Sequence, residues 1–315
     1  MRSPKEALTG RRSFLALTTA GVALSGVAFV ARPTEAEAHP VPATPARGLG
    51  SAVRELRQLE RQHSARLGVF AWDTATDRTI LHRAGERFPM ASTFKTLAVA
   101  AVLRDLNANG KFLSKTIRYT AEDTTRSGYA PVTGLPENLE HGMTVEELCA
   151  VSITHSDNAA TNLLLKELGG PTAVTRFCRS LGDMVTRLDR WEPDLNSAEP
   201  GRVTDTSTPL ALGKTYARAT LGDALRRADR TRLTGWLLAN TTGAKRLRAG
   251  LPGDWRVAEK TGTGEYGTTN DAGLAWPPGE EPIVITVLST KDDPEAPADE
   301  PLLAEAARVV AKHLG

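Results

Sequence analysis

The segments of this chain that favour β-strands lie at its two ends, and a long helical stretch separates them. Arg66–Trp72 and Thr79–His82 are apolar, β-prone runs, and the turn-forming residues between them predict a hairpin. Three further runs of the same kind follow near the other end, at residues 255–259, 270–276 and 282–289. Because these strands must pair to bury their apolar sides, the sequence predicts one five-stranded antiparallel sheet built from both ends of the chain.

Helical patterns flank the strands and fill the space between them. A charged helix with Val53, Leu56 and Leu59 on one face is predicted from about Ser51 to Ala65, and a closing helix over 301–313. We therefore predict an α+β fold in which a five-stranded antiparallel sheet is flanked by terminal helices and carries an inserted all-helical domain. The sheet part covers about 50–90 and 244–315, the helical part about 91–243, and a functional site is expected in the cleft between them.

The first 38 residues differ from the rest of the chain. Four basic residues precede an apolar run at 14–30, and Ala36-Glu37-Ala38 is a small-x-small cleavage signal. The paired Arg11-Arg12 is typical of the twin-arginine class of export signals. We predict that residues 1–38 are an export signal peptide handled by the twin-arginine machinery, that 39–49 form a disordered linker, and that the exported protein is secreted without a permanent membrane anchor.

Charge and composition exclude several classes of partner. Removing residues 1–38 takes five of the 39 basic and three of the 37 acidic residues, leaving 34 of each. This balance does not predict a nucleic-acid-binding surface. The six histidines are scattered without a metal-binding spacing, so we predict no metal and no cofactor. Cys149 and Cys178 are expected to be buried thiols, and the protein is expected to be a monomer.

A serine and a lysine one helical turn apart are the first candidate chemical group. Ser92 and Lys95 lie at the start of a helical pattern that runs through Leu106 and stops at 107–110. Residues three apart share one face of a helix, so the lysine amine is expected beside the serine oxygen. A partly desolvated lysine has the lowered pKa needed of a base that activates a serine nucleophile. An isolated Ser-x-x-Lys is also compatible with an ordinary helix start.

Three more motifs follow in the chain and give the pair a context. Ser156-Asp157-Asn158 lies at a predicted helix start, and Lys260-Thr261-Gly262 at the end of a predicted strand. Between them lies Arg190-Trp191-Glu192-Pro193-Asp194-Leu195-Asn196. Ser-x-x-Lys, Ser-Asp-Asn and Lys-Thr-Gly together are the signature of class A β-lactamases and penicillin-binding proteins. Over about residues 50–315 the chain resembles a class A serine β-lactamase, with all motifs in the family's order.

The resemblance implies a role for each motif residue. It implies these catalytic residues: Ser92, Lys95, Ser156, Glu192 and Asn196. It implies these substrate-binding residues: Asn158, Lys260, Thr261, Gly262, Thr263, Arg246 and Tyr129. The N–H groups of Ser92 and Thr263 would form the oxyanion hole, and Ser156 would pass a proton to the leaving nitrogen. Glu192 and Asn196 would hold the water that hydrolyses the acyl-enzyme.

The resemblance also makes predictions about the surroundings of the site. Residues 265–269 lack the arginine that many members carry there, and Arg246 matches the alternative position found in others. A solvated helix-end charge is the competing interpretation of Arg246. An ion pair between Arg190 and Asp205 is expected to close the neck of an Ω-loop. Asn162 is expected to tie that loop to the helical part. Glu192-Pro193 is a candidate cis peptide.

We expect the enzyme to hydrolyse the β-lactam amide bond and so give antibiotic resistance. The substrates implied are penicillins and, because Thr263 adds a hydroxyl beside the substrate carboxylate, cephalosporins. Two alternatives share the serine, the lysine and Lys-Thr-Gly. A peptidoglycan D,D-peptidase would not need Glu192 and Asn196. A β-lactam sensor, which acylates and then holds the drug, normally has a membrane-fixed signalling segment.

Overall fold

The five predicted strands form one antiparallel sheet in the computed structural model, which describes residues 47–315, with side chains from Gly50 onward. The strands of this sheet are β1 (Arg66–Asp73), β2 (Thr79–His82), β3 (Arg256–Thr263), β4 (Thr269–Trp276) and β5 (Ile283–Thr290). Their order is β2-β1-β5-β4-β3, with every pair antiparallel. Strands from the two chain ends therefore meet in one sheet at the pair β1 and β5, and β3 is an edge strand.

Eleven helices surround this sheet in the described part of the chain. They are α1 (Arg47–Gln62), α2 (Phe94–Ala101), α3 (Ala121–Arg126), α4 (Pro136–His141), α5 (Val145–Thr154), α6 (Asn158–Glu167), α7 (Thr172–Ser180), α8 (Pro209–Thr220), α9 (Arg227–Leu238), α10 (Leu247–Gly250) and α11 (Glu300–Leu314). Two-residue ladders join Phe88–Pro89 to Thr206–Ser207 and Thr116–Ile117 to Met143–Thr144. The predicted α+β fold, with its inserted helical part, is confirmed.

The two largest of three apolar clusters in residues 50–315 pack the helices against the sheet and against one another. In one, the apolar faces of α1 and α11, with Leu56, Leu302 and Val310, pack on β1 and β5 through residues such as Val69 and Ile285. The other fills the helical part around α2, all eight residues of which are buried. Burial of apolar surface stabilises a fold by about 25 cal/mol per Å². Because α2 is buried on every side, its position is fixed by packing. Ser92 lies just before α2, so its position is fixed as well.

Several element boundaries differ from the prediction. Helix α1 begins at Arg47, so residues 47–49, predicted as linker, form its first turn. The single helix predicted from Ser92 to Leu106 is a 3₁₀ turn at Ala91–Thr93, then α2, then a π-turn at Val102–Leu106. Strand β3 runs past its predicted end at residue 259 to Thr263, because Lys260–Thr263 continue to pair in register with β4.

Local capping follows the sequence closely. Thr144 and Glu147 form a capping box at the start of α5, and the Asp157 side chain caps α6. Cys149 and Cys178 are buried free thiols, as predicted, and burial raises the pKa of both.

None of the helices in residues 47–315 is long and apolar enough to cross a membrane. The predicted export signal and residues 39–46 of the predicted linker lie outside the described residues.

Candidate active site

The turn that carries Ser92 is held between α2 and the edge of the sheet. Ala91 has a φ of 43°, a left-handed conformation that a non-glycine residue rarely adopts. On the sheet side the turn touches β3 at Gly262, where a Cβ would lie 2.8 Å from the Met90 oxygen and 3.1 Å from the Ser92 nitrogen. The glycine of Lys-Thr-Gly is therefore required because the backbones of β3 and this turn are in contact.

Lys95 is fully buried and its amine contacts three other predicted site residues. The Nζ atom lies 2.6 Å from Asn158 Oδ1, 3.3 Å from Ser156 Oγ and 3.2 Å from Glu192 Oε1, and it also donates to the main-chain oxygen of Ser156 at 2.8 Å. Burial lowers the pKa of this amine, and the neighbouring Glu192 carboxylate partly opposes that effect. An amine with a lowered pKa can exchange a proton with the hydroxyl or the carboxylate beside it.

Glu192 joins the serine to the lysine. Its Oε1 atom lies 3.5 Å from Ser92 Oγ and 3.2 Å from Lys95 Nζ, while its Oε2 atom accepts a hydrogen bond of 2.5 Å from Asn196 Nδ2. The Glu192-Pro193 peptide is cis, as predicted. The Asn162 amide bonds both main-chain polar groups of Glu192, at 2.9 and 3.1 Å, which confirms the predicted tie between loop and helical part. The carboxylate is thus fixed at both its backbone and its tip.

The neck of the Ω-loop is closed by a buried acid. Arg190 Nε donates to Asp205 Oδ2 at 2.6 Å, which confirms the predicted ion pair. Asp205 Oδ1 also accepts the main-chain N–H groups of Asp189 and Arg190, at 2.7 and 3.0 Å. Asp205 is almost fully buried, and breaking a buried pair by removing one partner costs about 3–5 kcal/mol. The two ends of the segment that carries Glu192 are therefore held together by Asp205.

The connection between α5 and α6 presents Ser156 and Asn158. Ser156 has a φ of 57°, a left-handed turn that aims its side chain toward Lys95. Asn158 donates to the Ser127 oxygen at 2.9 Å, and its own N–H donates to the Tyr129 oxygen at 2.8 Å. Tyr129 itself is half exposed. The loop that carries the tyrosine is thereby held against the start of α6.

The edge strand β3 contributes the opposite side of the site. Lys260 is fully buried and donates to the Thr261 oxygen at 3.0 Å. Burial, reinforced by the charge of Lys95, lowers the pKa of Lys260 to about 7. The Thr261 hydroxyl lies 2.5 Å from that of Thr242, in the segment after α9. Thr263, at the end of the strand, is exposed.

Arg246 lies behind β3 with its guanidinium at the site. It donates to the main-chain oxygens of Gly262 and Asn270, at 2.8 and 2.9 Å, and to the Thr263 hydroxyl at 2.7 Å. Arg246 is buried, with a relative exposure of 5%. Its nearest acid is Glu300, 3.6 Å from Nε. This placement is incompatible with the alternative interpretation as a solvated helix-end charge.

These elements enclose one cleft of about 300 Å³. It is lined by Ser92, Tyr129, Ser156, Asn158, Asn196, Thr242, Arg246, Thr261, Gly262 and Thr263. Lys95, Glu192 and Lys260 lie directly behind this lining, so every predicted site residue is brought together. A larger groove of about 940 Å³ lies between β1, β2 and α8 and contains none of them. Among the described residues, no cluster of His, Cys, Asp or Glu is placed to hold a metal ion.

Comparison with known proteins places this fold and cleft in a family. A sequence model of the β-lactamase enzyme family matches residues 51–314. A β-lactamase of Streptomyces lavendulae is 65% identical over 269 residues, or 85% of this chain and 88% of that protein. The structure of a β-lactamase from Streptomyces albus G has a TM-score of 0.83 and 63% identity, covering 84% of this chain and 100% of the other. An ancestral class A β-lactamase has a TM-score of 0.79 and 52% identity, covering 83% and 99%.

The chain therefore belongs to the β-lactamase family, and it is a class A serine β-lactamase. It is a hydrolase that opens the amide bond of β-lactams, the activity that gives resistance to these antibiotics.

Four residues near the cleft were given no role by the sequence analysis. Thr242 bonds Thr261, and Asn240 Nδ2 donates to Glu259 Oε2 at 2.7 Å. Asp271 is fully buried, and burial together with the neighbouring Glu259 raises its pKa. Asn270 is also fully buried and donates to the turn that carries Ser92. The available signal was the pair Asn270-Asp271 at the start of a strand that is otherwise apolar, because buried polar side chains require partners.

Proposed function

We propose that Ser92 is the nucleophile of β-lactam hydrolysis and that Glu192 is the base of its second half-reaction. The observation that carries the proposal is the position of the Glu192 carboxylate, with one oxygen 3.5 Å from Ser92 Oγ and the other 2.5 Å from Asn196 Nδ2. A base must lie within hydrogen-bond reach of the proton it takes, directly or through one water. Glu192 meets that requirement for the serine and for a water held with Asn196.

In acylation the Ser92 oxygen attacks the β-lactam carbonyl carbon and its proton passes to a base. Glu192 lies within hydrogen-bond distance of Ser92 Oγ, and Lys95 contacts the same carboxylate oxygen, so Lys95 or Glu192, the latter through water, can serve as the base. The oxyanion is stabilised by the N–H groups of Ser92 and Thr263. When the C–N bond breaks, the Ser156 hydroxyl gives its proton to the nitrogen. Lys95, 3.3 Å from Ser156 Oγ, can resupply it.

Substrate orientation is assigned to the β3 side of the cleft and to its rim. Lys260, Thr261, Thr263 and Arg246 would bind the substrate carboxylate, since they offer two cations and two hydroxyls opposite Ser92. Asn158 would bind the amide of the substrate side chain, and Tyr129 would form the wall at the cleft entrance. Both penicillins and cephalosporins carry this carboxylate, so we propose both as substrates.

In deacylation a water between Glu192 and Asn196 attacks the ester on Ser92, and Glu192 takes its proton. The ester C–O bond then breaks, the proton returns to Ser92, and the penicilloic acid or its cephalosporin equivalent leaves. A D,D-peptidase or a sensor would not need this pair. The joint presence of Glu192 and Asn196 at hydrogen-bond distance favours the hydrolase.

The assignment of the nucleophile is tested with Ser92→Ala. We expect this variant to lose both turnover of a chromogenic cephalosporin and covalent labelling by penicillin, because no other group in the cleft supplies the nucleophile. Unchanged thermal stability is the control for folding. A penicilloyl adduct detected by mass spectrometry on the alanine variant would refute the assignment.

We further propose that residues 1–38 are a twin-arginine export signal and that the secreted enzyme is a monomer. The support is the sequence itself: the paired Arg11-Arg12, the apolar run after it and the site Ala36-Glu37-Ala38. N-terminal sequencing of protein recovered from the culture medium should give a start at His39. Intact residues 1–38 on the secreted protein would refute the signal, and a dimer mass by light scattering would refute the monomer.

A further inference from the structure

Asn270 connects the turn that carries Ser92 to β4, the strand that pairs with the one carrying Thr263. It is the second residue of β4 and is fully buried. Its side-chain Nδ2 donates to the main-chain oxygens of Pro89 and Met90, at 2.8 and 3.0 Å. Pro89 and Met90 directly precede the left-handed Ala91 and then Ser92.

The other polar atoms of Asn270 fix its position in the sheet. Its Oδ1 atom accepts the Ser289 N–H from β5 at 3.2 Å. This contact fixes the orientation of the amide, because the reverse orientation would point Oδ1 at two carbonyl oxygens. The main-chain oxygen of Asn270 accepts a hydrogen bond from Arg246. In the ladder between β3 and β4, Asn270 lies opposite Gly262, the neighbour of Thr263. One side chain therefore spans from the middle of the sheet to the nucleophile turn.

The turn does not depend on Asn270 for its own shape. Met90 also accepts the N–H and the hydroxyl of Thr93, at 3.2 and 2.7 Å, and its own N–H donates to the Asp205 oxygen at 3.0 Å. Buried α2 follows directly. Removal of the Asn270 amide should thus leave the turn folded and release its connection to β4.

We propose that Asn270 is a positioning residue for the oxyanion hole. Its two hydrogen bonds to Pro89 and Met90 set the alignment of the Ser92 N–H relative to the Thr263 N–H. This role depends on the proposed role of Ser92 as the nucleophile. Both groups must point at one oxygen in the transition state, and a misplacement of about 1 Å can cost a factor of about 100 in rate. Complete loss of one such donor costs about 10²–10³.

The test compares Asn270→Ala with Ser289→Ala. Ser289 is equally buried and its hydroxyl donates to the Thr269 oxygen at 2.9 Å, so its removal takes one buried hydrogen bond from the same sheet without touching the turn. Two quantities are measured on each folded variant: kcat/KM for a cephalosporin, and the affinity for phenylboronic acid, which forms a tetrahedral adduct with the serine. This probe lacks a carboxylate, so it does not report on Lys260 or Arg246. Thermal unfolding is recorded alongside.

We expect Asn270→Ala to lose about 10- to 100-fold in both quantities together, and Ser289→Ala to stay within about twofold of the wild type. Asn270→Leu, which keeps roughly the side-chain volume, should lose as much as Asn270→Ala, and it also serves if the alanine variant does not fold. Equal losses in the Asn270 and Ser289 variants, wild-type kcat/KM in a folded Asn270 variant, or unchanged boronate affinity would each overturn the inference. A wild-type enzyme that is not acylated on Ser92 would instead overturn the proposed function.

Discussion

The two sides of the cleft differ in whether their buried cations are paired with a carboxylate. On the Ω-loop side, Lys95 and Glu192 are fully buried and paired with each other at 3.2 Å. On the β3 side, the cations Lys260 and Arg246 donate to main-chain oxygens and to the Thr263 hydroxyl. Among the described residues no carboxylate pairs with Lys260, and Glu300 lies 3.6 Å from Arg246 Nε.

This difference separates proton transfer from binding. A buried acid and base that balance each other can exchange protons without a large change in net charge, which suits steps that move a proton. Cations satisfied by neutral oxygens keep their charge available for an incoming anion. Asp271 is buried beside β3, and burial together with Glu259 raises its pKa, which disfavours a carboxylate charge there. We therefore expect substitutions on the two sides to affect different kinetic steps.

The largest effect is expected from Glu192→Ala on the Ω-loop side. A positioned general base contributes a factor of about 10²–10⁴, so turnover of penicillin should fall by at least that range. Loss of the carboxylate also removes the group that raises the pKa of Lys95, so the pKa of the buried amine should fall further. Steady-state hydrolysis measures this effect.

The control is Glu265→Ala, which removes an exposed acid near the loop and should retain activity. Wild-type turnover in Glu192→Ala would refute the assigned base.

An intermediate effect is expected from Arg246→Ala on the β3 side. A charge-assisted hydrogen bond contributes about 1.5–3 kcal/mol, so kcat/KM should fall by roughly 10- to 150-fold for substrates that carry the carboxylate. Lys245 is the matched control, because it is the neighbouring cation, is strongly exposed and faces the same Glu300 at 3.8 Å. Lys245→Ala should leave kcat/KM unchanged. If Arg246→Ala did so too, Arg246 would have no part in binding.

The smallest effect is expected from pH. Because the pKa of Lys260 is about 7 in the free enzyme, its amine loses charge above that pH and binds a carboxylate less well. The profile of kcat/KM reports the free enzyme, so it should decline on the alkaline side, by about tenfold at pH 8, while kcat is less affected because bound substrate keeps the amine protonated. In Lys260→Arg the decline should move to much higher pH, since a guanidinium stays charged. A decline unmoved by that substitution would assign it to another group.

Much of this architecture could be predicted from the sequence because local patterns determine it. Apolar, β-prone runs at both chain ends predicted the strands, and the motif Ser156-Asp157-Asn158 was expected at a helix start, where the Asp157 side chain caps α6. Four motifs predicted most of the site, and each of them contributes residues to the lining of one cleft or directly behind it.

The remainder depends on contacts between residues far apart in the chain. The order of the strands, the hydroxyl pair of Thr242 and Thr261, and the bond from Asn270 to Pro89 over a separation of 181 residues have no local signature. The break in the helix after Ala101 and the extension of β3 through Lys-Thr-Gly were missed for the same reason. In each case tertiary pairing overrode the local pattern.

Trapping the acyl-enzyme distinguishes the Ω-loop side, which we assign to deacylation, from the β3 side, which we assign to binding. Glu192→Ala and Arg246→Ala are each mixed with penicillin, quenched at successive times and examined by mass spectrometry of the intact protein. We expect Glu192→Ala to accumulate a penicilloyl adduct on Ser92 that persists, whereas Arg246→Ala should form its adduct slowly and not accumulate it. Rapid loss of the adduct in Glu192→Ala, or equal accumulation in both variants, would refute this division of roles.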